Sequence, residues 1–127
     1  MQEFMFFIRK KNNSEQTQSA ETHTQFLKAC ESYIAALKQQ GKLISAQPIQ
    51  WAGKIVSGKD NSWTEVPFND GGEVIGGYYH ILANDLHDAV SIAKANPEFQ
   101  FNDGTRIEVR PLKMKENTTG FVYPTRK

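Results

Sequence analysis

Two segments of the sequence carry residues capable of acid–base chemistry, and the pattern of each is typical of a β-strand. In "VIGGYYHILA", side-chain alternation places Tyr78 and His80 on the more polar face. In "TRIEVRPL", alternation places Arg106, Glu108 and Arg110 on the face opposite the apolar residues. If both polar faces lie on the same side of one sheet, these residues share one environment.

A histidine beside a carboxylate can act as a general acid–base pair, because the carboxylate orients the imidazole and favours its charged form. We therefore predict His80 and Glu108 as a catalytic pair. Arg110, with Arg106, is predicted to bind an anionic substrate or to stabilise an enolate. The alternative is an ion-pair network that only fixes the structure or an interface.

The segment before the histidine strand suggests the edge of a pocket. Pro67 ends a strand rigidly and leaves Phe68 where the chain turns, with Glu65 just before it. The Gly76-Gly77 pair inside a strand predicts a bulge, a bend, or a close approach by a backbone or a ligand. We predict that Tyr78, Glu65 and Phe68 lie near the edge of the site.

Hydrophobic periodicity predicts the elements that position these residues. The predicted order is β-α-β, an inserted hairpin, and then β-α-β, which indicates an α+β ferredoxin-like sandwich with both helices on one face of the sheet. The predicted elements are a strand at 4–9, a helix at about 19–40, a strand in "KLISAQPIQ", a hairpin at 54–68, the histidine strand, a helix in "NDLHDAVSIAKANP" and the strand "TRIEVRPL". We expect a single domain over 1–127, with a core at about 4–112 and a polar tail at 113–127.

Capping signals support the two helices. Thr22 with Gln25 fits a capping box at the start of the first helix, and Gly41 fits the C′ position after its end. Asn84 or Asp85 is predicted to cap the second helix.

The first strand is apolar on both faces, with Phe4, Phe6 and Ile8 alternating with Met5 and Phe7. Two helices cover only one face of a sheet, and leaving a large apolar side chain in water forgoes roughly 1.5–3 kcal/mol. We therefore predict a homodimer in which a second copy covers the other face. The alternative is that the hairpin at 54–68 or the tail folds over this face.

Composition argues against several classes of partner. The 127 residues include 15 Lys and Arg against 14 Asp and Glu, so a formal charge of +1 gives no reason to expect nucleic acid or an anionic membrane as a partner. No apolar run approaches the roughly 20 residues that cross a bilayer. The opening "MQEFMFFIRKKNN" has its basic residues after the apolar run, the reverse of a signal peptide, so we expect a cytoplasmic protein.

The sequence predicts no metal site and no bound cofactor. His23, His80 and His87 fall on different predicted elements without ligand spacing. Cys30 is the only cysteine, which excludes an internal disulfide and a multi-cysteine zinc site. It lies among helical apolar positions and is predicted to be a small core residue rather than a nucleophile.

The stretch "EVPFNDGGEVIGGYYHILANDLHDAVSIAKANP", followed by "IEVRPL", resembles the YCII-related proteins of the DGPF type. The matching pieces are Pro67-Phe68, the run at 76–79 and the run at 108–111, whereas Glu65 and Val66 stand where that branch has aspartate and glycine. The resemblance covers about 4–112 and implies a ferredoxin-like fold that assembles as a dimeric α+β barrel. In the better-studied YCII branch, a histidine on the first helix and a nearby aspartate are proposed as a catalytic pair, and these positions look like Cys30 and Gln39 here.

Three functions fit these observations. The first is a cofactor-free acid–base enzyme acting on a small anionic or carbonyl-containing molecule in the barrel cleft. The second is a small-molecule-binding or regulatory module without chemistry, and the third is a purely structural dimer. A deep cleft at His80 favours the first, an apolar pocket with His80 fully paired favours the second, and the absence of any pocket favours the third.

Overall fold

The computed structural model describes residues 1–12 and 19–124, and all structural statements concern these residues. The strands are β1 Gln2–Lys11, β2 Leu43–Pro48, β3 Lys54–Lys59, β4 Ser62–Pro67, β5 Glu73–Ala83 and β6 Arg106–Pro111; the helices are α1 Ala20–Gln39, α2 Leu86–Lys94 and α3 Glu98–Phe101. One antiparallel sheet has the order β2-β5-β1-β6, and β3 pairs with β4 in a separate hairpin. This is the ferredoxin-like strand order, so the predicted fold is confirmed; the short α3 after Pro97 was not predicted.

The two faces of the sheet differ in what covers them. On the helix face, Phe4, Phe6 and Ile8 are buried together with Tyr79 and Ile81. Leu37 of α1 and two alanines of α2 complete this core. We call the opposite side the open face; its members, assigned by alternation and cross-strand register, are Met5, Phe7, Tyr78, His80, Arg106, Glu108 and Arg110.

The ends of α1 are fixed by local hydrogen bonds. Ser19 is the N-cap, and its hydroxyl oxygen accepts a hydrogen bond from the backbone N–H of Thr22 at 3.2 Å. The capping box predicted at Thr22 is therefore wrong, because Thr22 already lies in the first helical turn. Gly41 has φ +71° at C′, and Lys42 N–H donates to the Leu37 carbonyl oxygen, as in a Schellman motif. This predicted end is confirmed, and Asp85 caps α2.

The glycine pair in β5 has two different structural roles. The β1–β5 register passes from Ile8 opposite Gly77 to Arg9 opposite Ile75, so Gly76 is the extra residue of a bulge. A Cβ atom on Gly77 would lie 3.2 Å from the Gln47 carbonyl oxygen, in the backbone of the neighbouring β2. Both a bulge and a close backbone approach, as predicted, are therefore present.

The inserted hairpin, which we call the arm, forms a two-stranded sheet of its own, separate from the main sheet. Asp60 and Asn61 both have positive φ angles at its tip, as a two-residue type I′ turn requires. Of the arm residues 54–59 and 62–67, all but Val66 are exposed. The predicted hairpin is confirmed, and it has little packing of its own. Among the described residues, no helix is long and apolar enough to cross a membrane.

Candidate functional site

The predicted catalytic histidine has a carboxylate partner, but the partner is Glu3. His80 Nε2 lies 2.7 Å from Glu3 Oε1, and the two side chains are only 17% and 18% exposed. His80 is on β5 and Glu108 is on β6, and β1 runs between these strands. The gap between alternate strands of a sheet is roughly 10 Å, so the predicted pairing of His80 with Glu108 is wrong. Whether either residue has a catalytic role stays a prediction.

The strand order of the predicted fold could have identified Glu3 as the carboxylate partner of His80. In the ferredoxin-like order, the first strand lies between β5 and β6, so a side chain on β5 meets β1 before it can meet β6. Glu3 is the one carboxylate on β1. Because it precedes the aromatic run, the sequence pattern alone placed it outside the strand.

Glu108 and the arginines belong to a charged network on the open face. Glu73 receives hydrogen bonds from Arg106 at 2.7 and 2.8 Å and an ion pair from Arg9 at 2.6 Å. The Arg106 guanidinium, helped by Arg9, lowers the pKa of Glu73, and Glu73 raises that of Arg106. Glu108 has only 3.5 Å contacts to Arg9 and Arg110. Arg106 is thus held by Glu73, whereas Arg110 is 65% exposed and loosely held.

A cleft of about 630 Å³ lies on the open face beside His80. We call it the open-face cleft; its lining includes Met5, Phe7, Ile55, Phe68 and Tyr78. Met5 lies directly opposite His80 in the sheet, and Tyr78 is two residues away on the same face. Tyr78 and Phe68 thus line the same cleft, and their role at a functional site stays a prediction. Glu65 lies on the arm, exposed, and does not line this cleft.

The hairpin at 54–68, together with Ile49 before it, contributes side chains to the open face, and a hairpin folded over this face was one alternative to a dimer. Ile49, Ile55 and Phe68 all line the open-face cleft. Met5 and Phe7 nevertheless remain only partly buried, in contrast to their buried neighbours on the helix face. The homodimer stays a prediction.

A second cleft, of about 540 Å³, lies on the helix face and was not predicted. We call it the helix-side cleft; it is lined by Ile8, Leu27, Cys30, Glu31, Ile34, Ala35, Lys38, Ala46, Gln47, Pro48, Gly77, Tyr78, Tyr79 and Glu98. Small residues from three elements, Ala35, Ala46 and Gly77, leave space between α1 and the sheet. No local sequence pattern reveals this space, because it depends on which elements face one another.

Cys30, Tyr79 and Glu98 are sheltered polar groups of the helix-side cleft, whereas its exposed Glu31 and Lys38 form no ion pair within the described residues. Burial, and secondarily the Glu98 carboxylate, raises the pKa of the Cys30 thiol to about 11, although Lys10 acts against the rise. Burial raises the pKa of Tyr79 to about 12. Glu98 accepts from Lys10 Nζ at 2.6 Å, and both side chains are less than one-fifth exposed. Neither Cys30 nor Tyr79 is ionised at neutral pH, and the Glu98 charge is compensated.

A buried asparagine lies behind this cleft. Asn96 is 1% exposed, and its Oδ1 accepts from the backbone N–H of Glu98 at 2.9 Å. Its amide lies beside Tyr33 and Tyr79 and partly offsets the rise in their pKa values. Within the described part of the chain, Asn96 Nδ2 nevertheless reaches no acceptor in good hydrogen-bonding geometry. A buried donor without an acceptor is costly, and Asn96 itself does not line the helix-side cleft.

The fold and its clefts define an α+β protein of the ferredoxin-like type with space for a small ligand on each face of the sheet. The YCII-related domain model matches residues 3–113, and the chain belongs to that family. One similar solved structure is the 5-chloro-2-hydroxyhydroquinone dehydrochlorinase TftG from Burkholderia phenoliruptrix AC1100 in complex with 2,5-dihydroxybenzoquinone. It is 18% identical with a TM-score of 0.48, and the match covers 84% of this chain and 90% of that chain. The reaction and the ligand are those of the dehydrochlorinase. No curated protein matches this chain.

Proposed function

We propose that the protein binds a small, largely apolar molecule in the helix-side cleft and performs no chemistry on it. The observation that carries this proposal is a cleft of about 540 Å³ whose lining is mostly apolar. This volume is within the range of roughly 300–1,000 Å³ in which small-molecule sites usually fall. Tyr79 and Ile34 offer an aromatic and an aliphatic wall, which suits an aromatic or branched ligand.

The state of the sheltered polar groups supports binding rather than catalysis. A general base must be free to accept a proton. The Cys30 thiol is protonated at neutral pH, and the Glu98 carboxylate is compensated by Lys10. Cys30 is also the position that resembles the helix histidine of the better-studied YCII branch. A neutral thiol at that position can contact a ligand but supplies no proton acceptor.

The fluorescent dye 1-anilinonaphthalene-8-sulfonate, which has apolar aromatic rings and an anionic sulfonate, provides a direct test of the helix-side cleft. Ala35→Leu places a larger side chain in the cleft, whereas Ala36→Leu makes the same change on the next, exposed residue of α1. We expect the parent protein and Ala36→Leu to bind the dye with equal affinity, and Ala35→Leu to bind at least tenfold more weakly. Circular dichroism would show that both variants are folded. Equal affinity of all three proteins would exclude the helix-side cleft as the dye site and remove the basis of the proposal.

The second candidate function is cofactor-free acid–base catalysis on the open face. The specific observation in its favour is the sheltered 2.7 Å contact between His80 and Glu3 beside the open-face cleft. An imidazole oriented by a carboxylate can move a proton, and the loosely held Arg110 could attract an anionic carbonyl substrate. The same contact also fits the binding proposal, because the Nε2 atom of His80 is already paired with Glu3 and is not free to act on a ligand.

Proton exchange distinguishes these two functions. Pyruvate and other small 2-oxo acids would be incubated with the protein in deuterated water, and loss of the C3 proton signals would be followed by NMR. Catalysis predicts exchange that His80→Gln abolishes and Glu3→Gln slows, with Glu21→Gln, at an exposed carboxylate of α1, as the control. If the parent protein exchanges no substrate faster than buffer does, the catalytic candidate should be dropped while the binding proposal stands.

A further inference from the structure

The arm has an outer face that carries exposed apolar side chains. Directly opposite residues of an antiparallel pair share a face, and Val56 lies opposite Glu65, as Gly58 lies opposite Trp63. Val56 is 59% exposed and Trp63 is 64% exposed. A Cβ atom on Gly58 would lie 2.9 Å from Trp63 Cε3, so the indole lies against this glycine. Val56, Trp63 and Glu65 therefore form one outer patch.

The inner face of the arm is already engaged by its own subunit. Ile55 lines the open-face cleft, and Val66, directly opposite it, is the one partly buried residue of the arm. An isolated two-stranded hairpin is marginally stable in water, so an arm with this little packing needs a further contact. The outer patch, which lines neither of the two clefts, is where that contact can form.

The open face of the same chain has a cleft that can admit an aromatic side chain and a charge opposite to that of Glu65. Its cleft of about 630 Å³ has the partly exposed Met5 and Phe7 in its lining, and a tryptophan side chain is small enough to enter it. Arg110 is 65% exposed, and its contact with Glu108 is 3.5 Å long. Glu65 forms no ion pair within the described residues. An unpaired acid on the patch thus matches a loosely held arginine on the open face.

We propose that the arm of one copy lies across the open face of a second copy of this chain and closes the partner's open-face cleft. Trp63 enters that cleft, and Glu65 pairs with Arg110 of the partner subunit. Six residues per strand give the arm a length of roughly 20 Å, enough to cross a four-stranded sheet. Each copy has one arm and one open face, so a two-fold axis makes the exchange reciprocal and closes it at two subunits.

The exchange gives the arm a role beyond joining two sheets. Residues of one copy form a wall of the cleft beside the other copy's His80 and Glu3, so the open-face cleft is complete only in the dimer. Any ligand of that cleft would contact Trp63 from the other subunit. This inference does not rest on ligand binding in the helix-side cleft, whose lining shares only Tyr78 with the open-face cleft.

Sedimentation equilibrium of the full chain tests the exchange. We expect the parent protein to sediment at twice the chain mass of 14.4 kDa at micromolar concentration. Trp63→Ala should raise the dimer dissociation constant at least tenfold, whereas Phe121→Ala, which removes another exposed aromatic from the C-terminal segment, should leave it unchanged. A monomeric parent protein, or an unchanged constant in Trp63→Ala, would overturn the proposal.

Charge reversal provides a second measurement that does not depend on how Trp63→Ala folds. Glu65→Arg and Arg110→Glu should each weaken the dimer, and the double variant should recover most of the lost affinity. If the loss of dimer affinity in the double variant, expressed as a free energy, equals the sum of the losses in the two single variants, Glu65 does not meet Arg110 and the proposed arrangement is wrong. Dye binding by the same variants reports the helix-side cleft separately, so a failure of the exchange leaves the binding proposal intact.

Discussion

Glu3 and His80 meet diagonally across β1 and β5, with 2.7 Å between Oε1 and Nε2. The register places Leu82 opposite Glu3 and Met5 opposite His80. The contact therefore joins residues on the same face of the sheet that are offset by two positions along the strands. This diagonal contact links the start of the chain to the centre of the sheet. Its contribution to stability can be measured apart from any role in catalysis.

Glu3→Gln should lower the free energy of unfolding by about 1 kcal/mol, because a sheltered, charge-assisted hydrogen bond becomes a neutral one. Glu108→Gln removes only contacts of 3.5 Å and should cost less than about 0.5 kcal/mol. Urea titrations of both variants at pH 7 provide the comparison. A larger loss for Glu108→Gln would contradict this ranking of the two carboxylates.

Gly77→Ala should be more harmful than Gly76→Ala. The new methyl group at Gly77 would lie 3.2 Å from the Gln47 carbonyl oxygen and 3.4 Å from the Pro48 Cα, and neither backbone atom can move without displacing β2. We expect a loss of roughly 1–3 kcal/mol. At Gly76 the nearest atoms belong to the flexible side chain of Lys10, so the loss should be smaller. Thermal unfolding of the two variants side by side checks the order.

Lys10→Met should destabilise the protein by roughly 1–3 kcal/mol, because it leaves the Glu98 carboxylate in a sheltered position without its cation. Adding Glu98→Gln removes the uncompensated charge. The free energy of unfolding should therefore fall less in the double variant than the sum of the decreases in the two single variants. Chemical denaturation of the four proteins completes the cycle. Strict additivity would show that the 2.6 Å contact contributes no coupling energy.

The Cys30 thiol should react slowly at neutral pH. Its pKa of about 11, against a reference value of 9.0, predicts about one-hundredth of the thiolate that the same thiol has in the unfolded chain. The rate with 5,5′-dithiobis(2-nitrobenzoate) should therefore rise roughly tenfold per pH unit from pH 7 to 10. Glu98→Gln should speed the reaction and Lys10→Met should slow it, because the two charges shift the thiol pKa in opposite directions. A rate that levels off near pH 8 would contradict the raised pKa.

Alkaline pH should destabilise the fold. Cys30 and Tyr79 hold their protons more tightly in the folded protein than in the unfolded chain, since burial raises both pKa values. Their stabilising effect is fully present below the unfolded pKa values of about 9 and 10 and is lost as the pH rises through about 11 and 12. The urea midpoint of unfolding of the parent protein should fall between pH 8 and 11.5. Above pH 10, the midpoint of the Tyr79→Phe variant should fall less than that of the parent protein. A flat profile in the parent protein would contradict this expectation.

The fold could be predicted because its signals are local. The alternation of Phe4, Phe6 and Ile8 and the Gly41 C′ position each act within a few residues, and together they determine element type and order. The separation of Ile107 and Val109 from the charged residues of β6 was predicted for the same reason.

The details of the site could not be predicted from local patterns. Whether His80 meets Glu3 or Glu108 depends on which strand lies between β5 and β6. The helix-side cleft depends on how Ala35 on α1 faces Ala46 on β2, two residues brought together only by tertiary packing. Arg106 was predicted to bind a ligand because the sequence does not reveal that Glu73 lies beside it.

The bulge at Gly76 also determines where β5 tolerates a change in length. Gly77 and Tyr79 lie on the helix face, whereas Ile75, an odd-numbered residue like them, lies opposite Arg9 and lines the open-face cleft. Deleting Gly76 would join Ile75 directly to Gly77 and leave every remaining side chain on its present face, as regular alternation requires. Deleting Tyr78 instead would invert one end of the strand relative to the other. Gly76 is therefore the position in β5 where homologous chains can differ in length by one residue while every other side chain of the strand keeps its face of the sheet.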